Sequence, residues 1–366
     1  MAEAPVQMKE WFNEERYRWF ADELAALSEG FDRQGFLAHV LTGIEQRELL
    51  QRLRATTVGL HRCMPGGYRE HLDSLRRLAP RISHGFVGIL PCDYVGCYGL
   101  GDFEGSMAAL REFTCHGSGE FAVREYLRVD QDRALAIMLS WTSDSSEHVR
   151  RLASEGSRPR LPWSFRLEAL VRDPRATRPI LEALRSDPSL YVRKSVANHL
   201  NDISKDHPAY MLELLESWDL SDARSAWIAK HACRSLIKAG NPRALALFKV
   251  SAKARIAEPV FKLSRQRLAI GGSLELQATI QSTARSGQRL VVDFAVYYVR
   301  ASGKSARKVF KWKFLELPAS GTVQLSKKLV LIPRSTRTLY PGKHGVELLV
   351  NGQVLGQASF SLLQQS

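Results

Sequence analysis

DSSEHVRRLASEG at 144–156, DPSLYVRKSVANHL at 187–200 and SDARSAWIAKHACRSL at 221–236 share one pattern. In each, a turn acid is followed by an apolar residue, one or two bases, and a small residue four or five positions later. A loose repeat of this kind is expected where helix pairs stack, each hiding one face against its neighbours and leaving a curved surface free. Helical spacing puts Val192, Val196 and Ile203 on one buried stripe and Val149, Leu152 and Ala153 on its equivalent. Arg150, Arg151, Arg193 and Lys194 must then project away from it. Asp187 and Pro188 predict the start of the second helix, as N-cap and first helical proline.

Outward from this HEAT-like core the pattern extends to about Ser106, and amphipathic spacing also fills Met8 to about Ala79 (Trp11, Phe12, Phe20, Leu24; Phe36, Val40, Ile44). The stretch from Pro80 to Gly105 is rich in Gly and aromatics and reads as an irregular connection. Its GLGDFEG does not match a dinucleotide fingerprint, so no cofactor is expected there. After about Ala257 the period changes from 3.6 to 2: Leu274, Leu276, Ala278 and Ile280 alternate with polar residues, as do Val346, Leu348 and Val350. Turn signals at 271–272, 286–288, 302–304, 341–343 and 351–353 separate roughly seven short strands, which suits an immunoglobulin-like β-sandwich without its disulfide. The expected fold class is therefore a multi-domain α then β chain: a HEAT-like helical array over 1–257 and a sandwich over 258–366.

The net charge of +14 is unevenly spread. From Ser251 onward there are 18 Lys+Arg against 5 Asp+Glu, leaving 34 against 33 before it, so +13 of the +14 lies in the last third. Charge confined to one domain suggests a polyanionic partner, with nucleic acid the first candidate and anionic lipid or an acidic protein the others. The opening residues lack the apolar core of a signal peptide, and no stretch approaches eighteen apolar residues. A cytoplasmic, nucleoid-associated protein with no membrane partner is expected. The five cysteines form no CxxC pair and the ten histidines have no ligand spacing, so they are read as reduced thiols and structural imidazoles, with no metal or other cofactor.

Two segments carry chemistry: EFAVREYL at 120–127 and HVRRLASEGSRPRLPW at 148–163. Together with the helical array and trailing sandwich they resemble the AlkC branch of the AlkC/AlkD alkylation-repair DNA glycosylases, a resemblance that covers most of the chain. It implies hydrolysis of the N-glycosidic bond of cationic bases such as 3-methyladenine and 3-methylcytosine in double-stranded DNA, approached from the backbone side without drawing the base into a deep pocket. Glu120 and Asp202 are the carboxylates it implies, and Trp163 the aromatic against the deoxyribose. Their settings fit: Asp202 shares a helical face with Lys194 and Asn198, and Pro159 and Pro162 stiffen the approach to Trp163. A solvated helix-end acid, a Glu120–Arg124 surface pair at spacing four and a core tryptophan are the plain readings of the same residues. Arg151, Arg158 and Arg160 are candidates for holding phosphates, with Arg151–Glu155 pairing the alternative, and Phe121 for the cleft wall.

In the sandwich, KSARKVFKWKF at 304–314 directs Lys311 and Lys313 to one face and Phe310, Trp312 and Phe314 to the other. With Lys308 they form a candidate phosphate-contacting face, and deleting everything beyond Ala257 should flatten the salt dependence of DNA binding. A non-catalytic repeat scaffold binding DNA or an acidic protein is the rival reading, since a fold does not define chemistry. The protein is expected to act as a monomer.

Overall fold

The computed structural model describes residues 7–333 and 337–364. Residues 1–6, part of the stretch read as lacking a signal peptide, lie outside the described residues. Two compact units are present: one takes residues up to 207 together with 219–232, the other 208–218 together with 233 onward.

The first unit is all helical. Asn13 and Asp32 cap the Glu14–Leu27 and Arg33–Leu41 helices by accepting from the Arg16 and Gly35 N–H groups. Phe12, Phe20, Leu24, Phe36 and Val40 are fully buried, as their spacing predicts. The repeat segments form the helices Glu147–Gly156, Leu190–Ile203 and Ala223–Ala232, the middle one packed between the other two. Both expected stripes are buried. The repeat arginines stitch the array: Arg150 donates to the Asp144 and Ser145 carbonyls of its own turn and forks onto Asp187 of the next. Arg193 repeats the first half of this, donating to the Asp187 and Pro188 carbonyls.

Two local expectations are corrected. The Leu190–Ile203 helix is capped by Ser189, whose hydroxyl accepts from Tyr191 N–H, while Asp187 instead accepts from Ser189 N–H one step earlier. The Pro80–Gly105 stretch is not an open connection, because Leu90–Tyr98 is a helix. Pro91 sits in its first turn, where a missing N–H costs nothing. Gly96 lets it approach its neighbour: a Cβ there would lie 3.0 Å from the Ala122 methyl.

The second unit holds the helices Pro208–Glu216, Arg234–Lys238 and Pro242–Ala246 and a sandwich of eight strands: β1 (Val260–Leu263), β2 (Arg267–Ala269), β3 (Ser273–Gln281), β4 (Gln288–Val299), β5 (Ser305–Leu317), β6 (Thr322–Val330), β7 (Gly342–Val350) and β8 (Gln353–Leu363). One sheet has the order β1-β3-β6, the other β2-β8-β7-β4-β5. All neighbours are antiparallel except β2 and β8. Leu274, Leu276, Ala278 and Ile280 from β3 meet Leu290, Val292, Phe294 and Val296 from β4 between the sheets, with Phe310 and Trp312 packed against them. Lys308, Lys311 and Lys313 stand exposed on β5, an edge strand.

The outer face of β4 and β7 is buried too, which period-2 reading does not anticipate. Residues 233–251 of the same unit run against it: Asn351 donates to the Ser251 carbonyl at 2.8 Å, and a Cβ on Gly352 would fall 2.1 Å from the Gly240 Cα. Asp293 on this outer face is only 2% exposed. Burial raises its carboxyl to about 6, against the opposing pull of Lys238, the Trp312 N–H and Lys311. A carboxyl raised in the folded state supports stability fully below its unfolded pKa and loses that support as pH climbs through the folded one. The fold should therefore lose up to about 3 kcal/mol between about pH 4 and just above 6. Asp293→Asn should abolish that loss, so that denaturant midpoints at pH 5 and 8 converge relative to the wild type; an unchanged gap would refute it.

Candidate active site

The turn ahead of the Val123–Val129 helix presents Glu120. Its Oε2 accepts from the Ser118 hydroxyl at 2.9 Å and pairs with Arg151 Nη2 at 2.6 Å. Arg151 also donates to Ser118 at 2.9 Å, lies 4.7 Å over the Tyr191 ring and reaches Glu155 at 3.6 Å. Glu155 in turn takes Arg158 Nη1 at 2.6 Å. Arg158 closes the run on Asp202 with Nε and Nη2, both at 2.8 Å, and Lys205 caps the far Asp202 oxygen at 2.8 Å.

Glu120, Arg151, Glu155, Arg158 and Asp202 thus form one alternating ladder across the Glu147–Gly156 and Leu190–Ile203 helices. Burial works against both guanidinium charges, yet the neighbouring carboxylates outweigh it and hold Arg151 and Arg158 above the usual arginine range. His199, fully buried with Nδ1 3.0 Å from the Ser154 carbonyl, is pushed down to about 4 by burial and stays neutral beside the ladder.

The ladder is open at one end only. The Glu120 side chain keeps 17% of its surface, whereas Asp202 is 2% exposed and so is not the solvated acid of an open helical face. The helix-dipole cost of an acid near a C-terminus is offset by Arg158 and Lys205. Arg158, expected to hold a phosphate, is buried with its donors already on two carboxylates.

Arg124 corrects another expectation. The helix begins only at Val123, so helical spacing from Glu120 does not apply, and no surface pair forms. Arg124 is instead fully buried and donates to the carbonyls of Gly156, Arg158 and Phe165. Burial, then the charge of Arg158, lower it to about 10. It pins both ends of the SRPRLPW loop from beneath. Trp163, on that loop, is 62% exposed and holds a left-handed backbone at φ 66°, which favours glycine; it is no core tryptophan. Its ring meets Phe86 edge to face at 6.4 Å. Phe121 and Trp163 together border a pocket of about 210 Å³ with Leu50, Arg54, Asp93 and Glu125.

The remaining candidates fall apart from the ladder. Arg160 forks onto Asp206 with two bonds of 2.7 Å. Lys194 is exposed and Asn198 half-buried on the Asp202 helix. Lys308, Lys311 and Lys313 belong to the other compact unit. Among the described residues no group of His, Cys, Asp or Glu could hold a metal ion, and no helix is long and apolar enough to cross a membrane.

Residues 258–364 match the family described as uncharacterised protein YhaZ, C-terminal Ig-like domain. The uncharacterised protein YhaZ of Bacillus subtilis (strain 168) is 39% identical over 358 residues, 98% of this chain and 99% of that one. The solved structure of Pseudomonas fluorescens alkylpurine DNA glycosylase AlkC, bound to DNA containing an abasic site analog, aligns at a TM-score of 0.94 with 47% identity, covering 98% of this chain and all of the other. This chain belongs to the AlkC family. A helical array followed by an Ig-like sandwich is the family's architecture, in keeping with the sequence reading. Beyond the candidates read from the sequence, the ladder takes in Glu155 and Lys205, and Arg124 supports the loop. Glu155 was visible in the sequence by its spacing to Arg151 and Arg158; no local pattern flagged the burial of Arg124.

Proposed function

We propose that the chain is a DNA glycosylase that releases cationic N3-alkylated bases, 3-methyladenine and 3-methylcytosine, from double-stranded DNA, acting as a monomer on the nucleoid. The supporting observation is a carboxylate, Glu120, fixed between Ser118 and Arg151 at the open end of a buried ladder. An N3-alkylated base carries positive charge; when the C1′–N bond breaks, its electron pair leaves with the base, which departs neutral and needs no general acid. Water then adds to C1′, and the proton it loses passes to Glu120 or to solvent.

The demand on the protein is to stabilise the sugar cation. A carboxylate at about 4 Å in an effective dielectric of about 20 contributes on the order of 4 kcal/mol. That is roughly a thousandfold in rate, enough to expel a labile base and far too little for an unmodified one. Glu120 is the carboxylate assigned to the cation. Asp202, enclosed with Arg158 and Lys205, is assigned to anchoring the ladder, and Arg158 with it. Trp163 and Phe121 would pack on the deoxyribose and exclude water. The exposure of Trp163 suits contact from the backbone side, without deep base flipping. Arg151, Lys194, Asn198 and Arg160 are assigned to the DNA near the lesion.

Release of free base from methylated DNA by excess protein tests the reading. No release would overturn it in favour of a binding scaffold. The phosphate-contacting role of Lys308, Lys311 and Lys313 needs its own test, because truncation at 257 would cut through the second compact unit. Changing all three to Gln should lower the salt slope of DNA binding by nearly 3, at about 0.9 per phosphate contact. An identical slope would remove these lysines from the interface.

A further inference from the structure

One edge of the five-stranded sheet is only partly covered. β2 pairs with β8 at Ser361, Leu362 and Leu363 alone, although β8 begins at Gln353. Ser361 donates its N–H to the Gln266 carbonyl at 2.7 Å, and the Leu363 carbonyl accepts from Ile270, so these alternate β8 residues turn their backbone groups toward β2. By the same alternation Ser359 and Gln357 each present an N–H and a C=O on that side, where among the described residues no strand pairs with them. β1 closes the far end of the opening: a Cβ on Gly356 would fall 2.9 Å from the Phe261 Cβ. A gap of about 630 Å³ lies between, with Lys262 and Arg267 on its walls. We propose that this gap takes an extended acidic segment of a partner protein, added as a short strand beside β8.

An unpaired edge is a template for any free strand, and the charges around this one select among them. Lys262 and Arg267 line the gap, Arg265 lies on the crossing between β1 and β2, and Lys343 stands in register with Ser361 on β7. All four are exposed, and none is paired with an acid among the described residues. A second copy of this chain would bring like charges together, which disfavours self-pairing. A DNA duplex would offer phosphate oxygens to the two N–H groups but no donors to the Gln357 and Ser359 carbonyls. An acidic strand meets both demands. Its backbone donors and acceptors recur every second residue, about 6.6 Å apart, as those of Gln357 and Ser359 do, and its carboxylates match the four cations. The β5 lysines assigned to DNA lie toward the opposite edge of the same sheet, with β7 and β4 between, so this inference does not rest on the glycosylase reading.

The probe is a fluorescently labelled peptide alternating Glu and Val, titrated against the full chain. It should bind once per chain, slow hydrogen exchange at the backbone N–H of Gln357 and Ser359, and bind at least about tenfold more tightly than the same peptide with Lys in place of Glu. Ser359→Pro removes an N–H on the open side and leaves the β7 ladder intact, so it should abolish binding while Ser359→Ala preserves it. Lys262→Glu combined with Arg267→Glu tests the charges at two exposed positions, with the denaturant midpoint as the control for folding, and should weaken the Glu peptide at least about tenfold. Equal affinity for the Glu and Lys peptides would overturn the proposal, as would wild-type binding by Ser359→Pro and the double variant. So would a duplex oligonucleotide that displaces the Glu peptide and protects the same two N–H groups, a result that would give this edge to nucleic acid.

Discussion

Glu120→Gln should slow release of 3-methyladenine by about a thousandfold, the loss expected for one carboxylate near a full sugar cation. Gln is nearly the same shape and still accepts from Ser118, so the turn before the Val123–Val129 helix should hold. Arg151 keeps Glu155 and the Tyr191 ring as partners, so its own position should survive. The neutral amide can orient water but cannot offset a positive charge, and the effect belongs in the chemical step. Single-turnover rates should therefore fall with DNA affinity almost unchanged. A counter-effect bounds the size: Arg151 lies 2.6 Å from Glu120 and already offsets part of its charge, while Glu155 draws Arg151 the other way. If the variant released base within about tenfold of wild type, the cation would be stabilised by other groups.

Sequence reading found the architecture because it is written in periods. The Val192–Val196–Ile203 stripe and the β3 alternation each state which face is buried, and both faces are buried as stated. The outer face of β4 escaped it, since cover supplied by residues 233–251 leaves no mark on β4's own alternation beyond Val291 and Ala295, which any strand tolerates. As candidates, Glu120, Arg151 and Trp163 were legible in the two segments that carry the resemblance, and Asp202 through the resemblance itself. Their electrical roles were not. Whether an arginine holds phosphate or an internal acid depends on what lies across the helix seam, and Arg158 reaches Asp202 over a separation of 44 residues. Arg124 shows the same limit in another form: its partners are carbonyls, and carbonyls carry no sequence signature.

Arg158→Met should destabilise the helical unit by about 3–5 kcal/mol, the cost of leaving buried charges uncompensated. The substitution strands two carboxylates, Glu155 and Asp202, whose side chains keep only 7% and 3% of their surface. Lys205 still reaches Asp202 and Arg151 still reaches Glu155, at 3.6 Å, so neither acid loses every partner. Arg158→Lys would restore charge without the fork that meets Glu155 and Asp202 at once, and should recover only part of the loss. Denaturant titration of each variant, following the transition of the helical unit, checks the size. A loss under about 1 kcal/mol would place the ladder among weak surface networks. The consequence for function follows from the backbone: the Arg158 carbonyl is one of three that Arg124 grips, so loosening Arg158 also loosens the loop that holds Trp163 in its strained pose. Activity should then fall in Arg158→Met even at temperatures where the chain remains folded, and recover in Arg158→Lys to the same degree as stability.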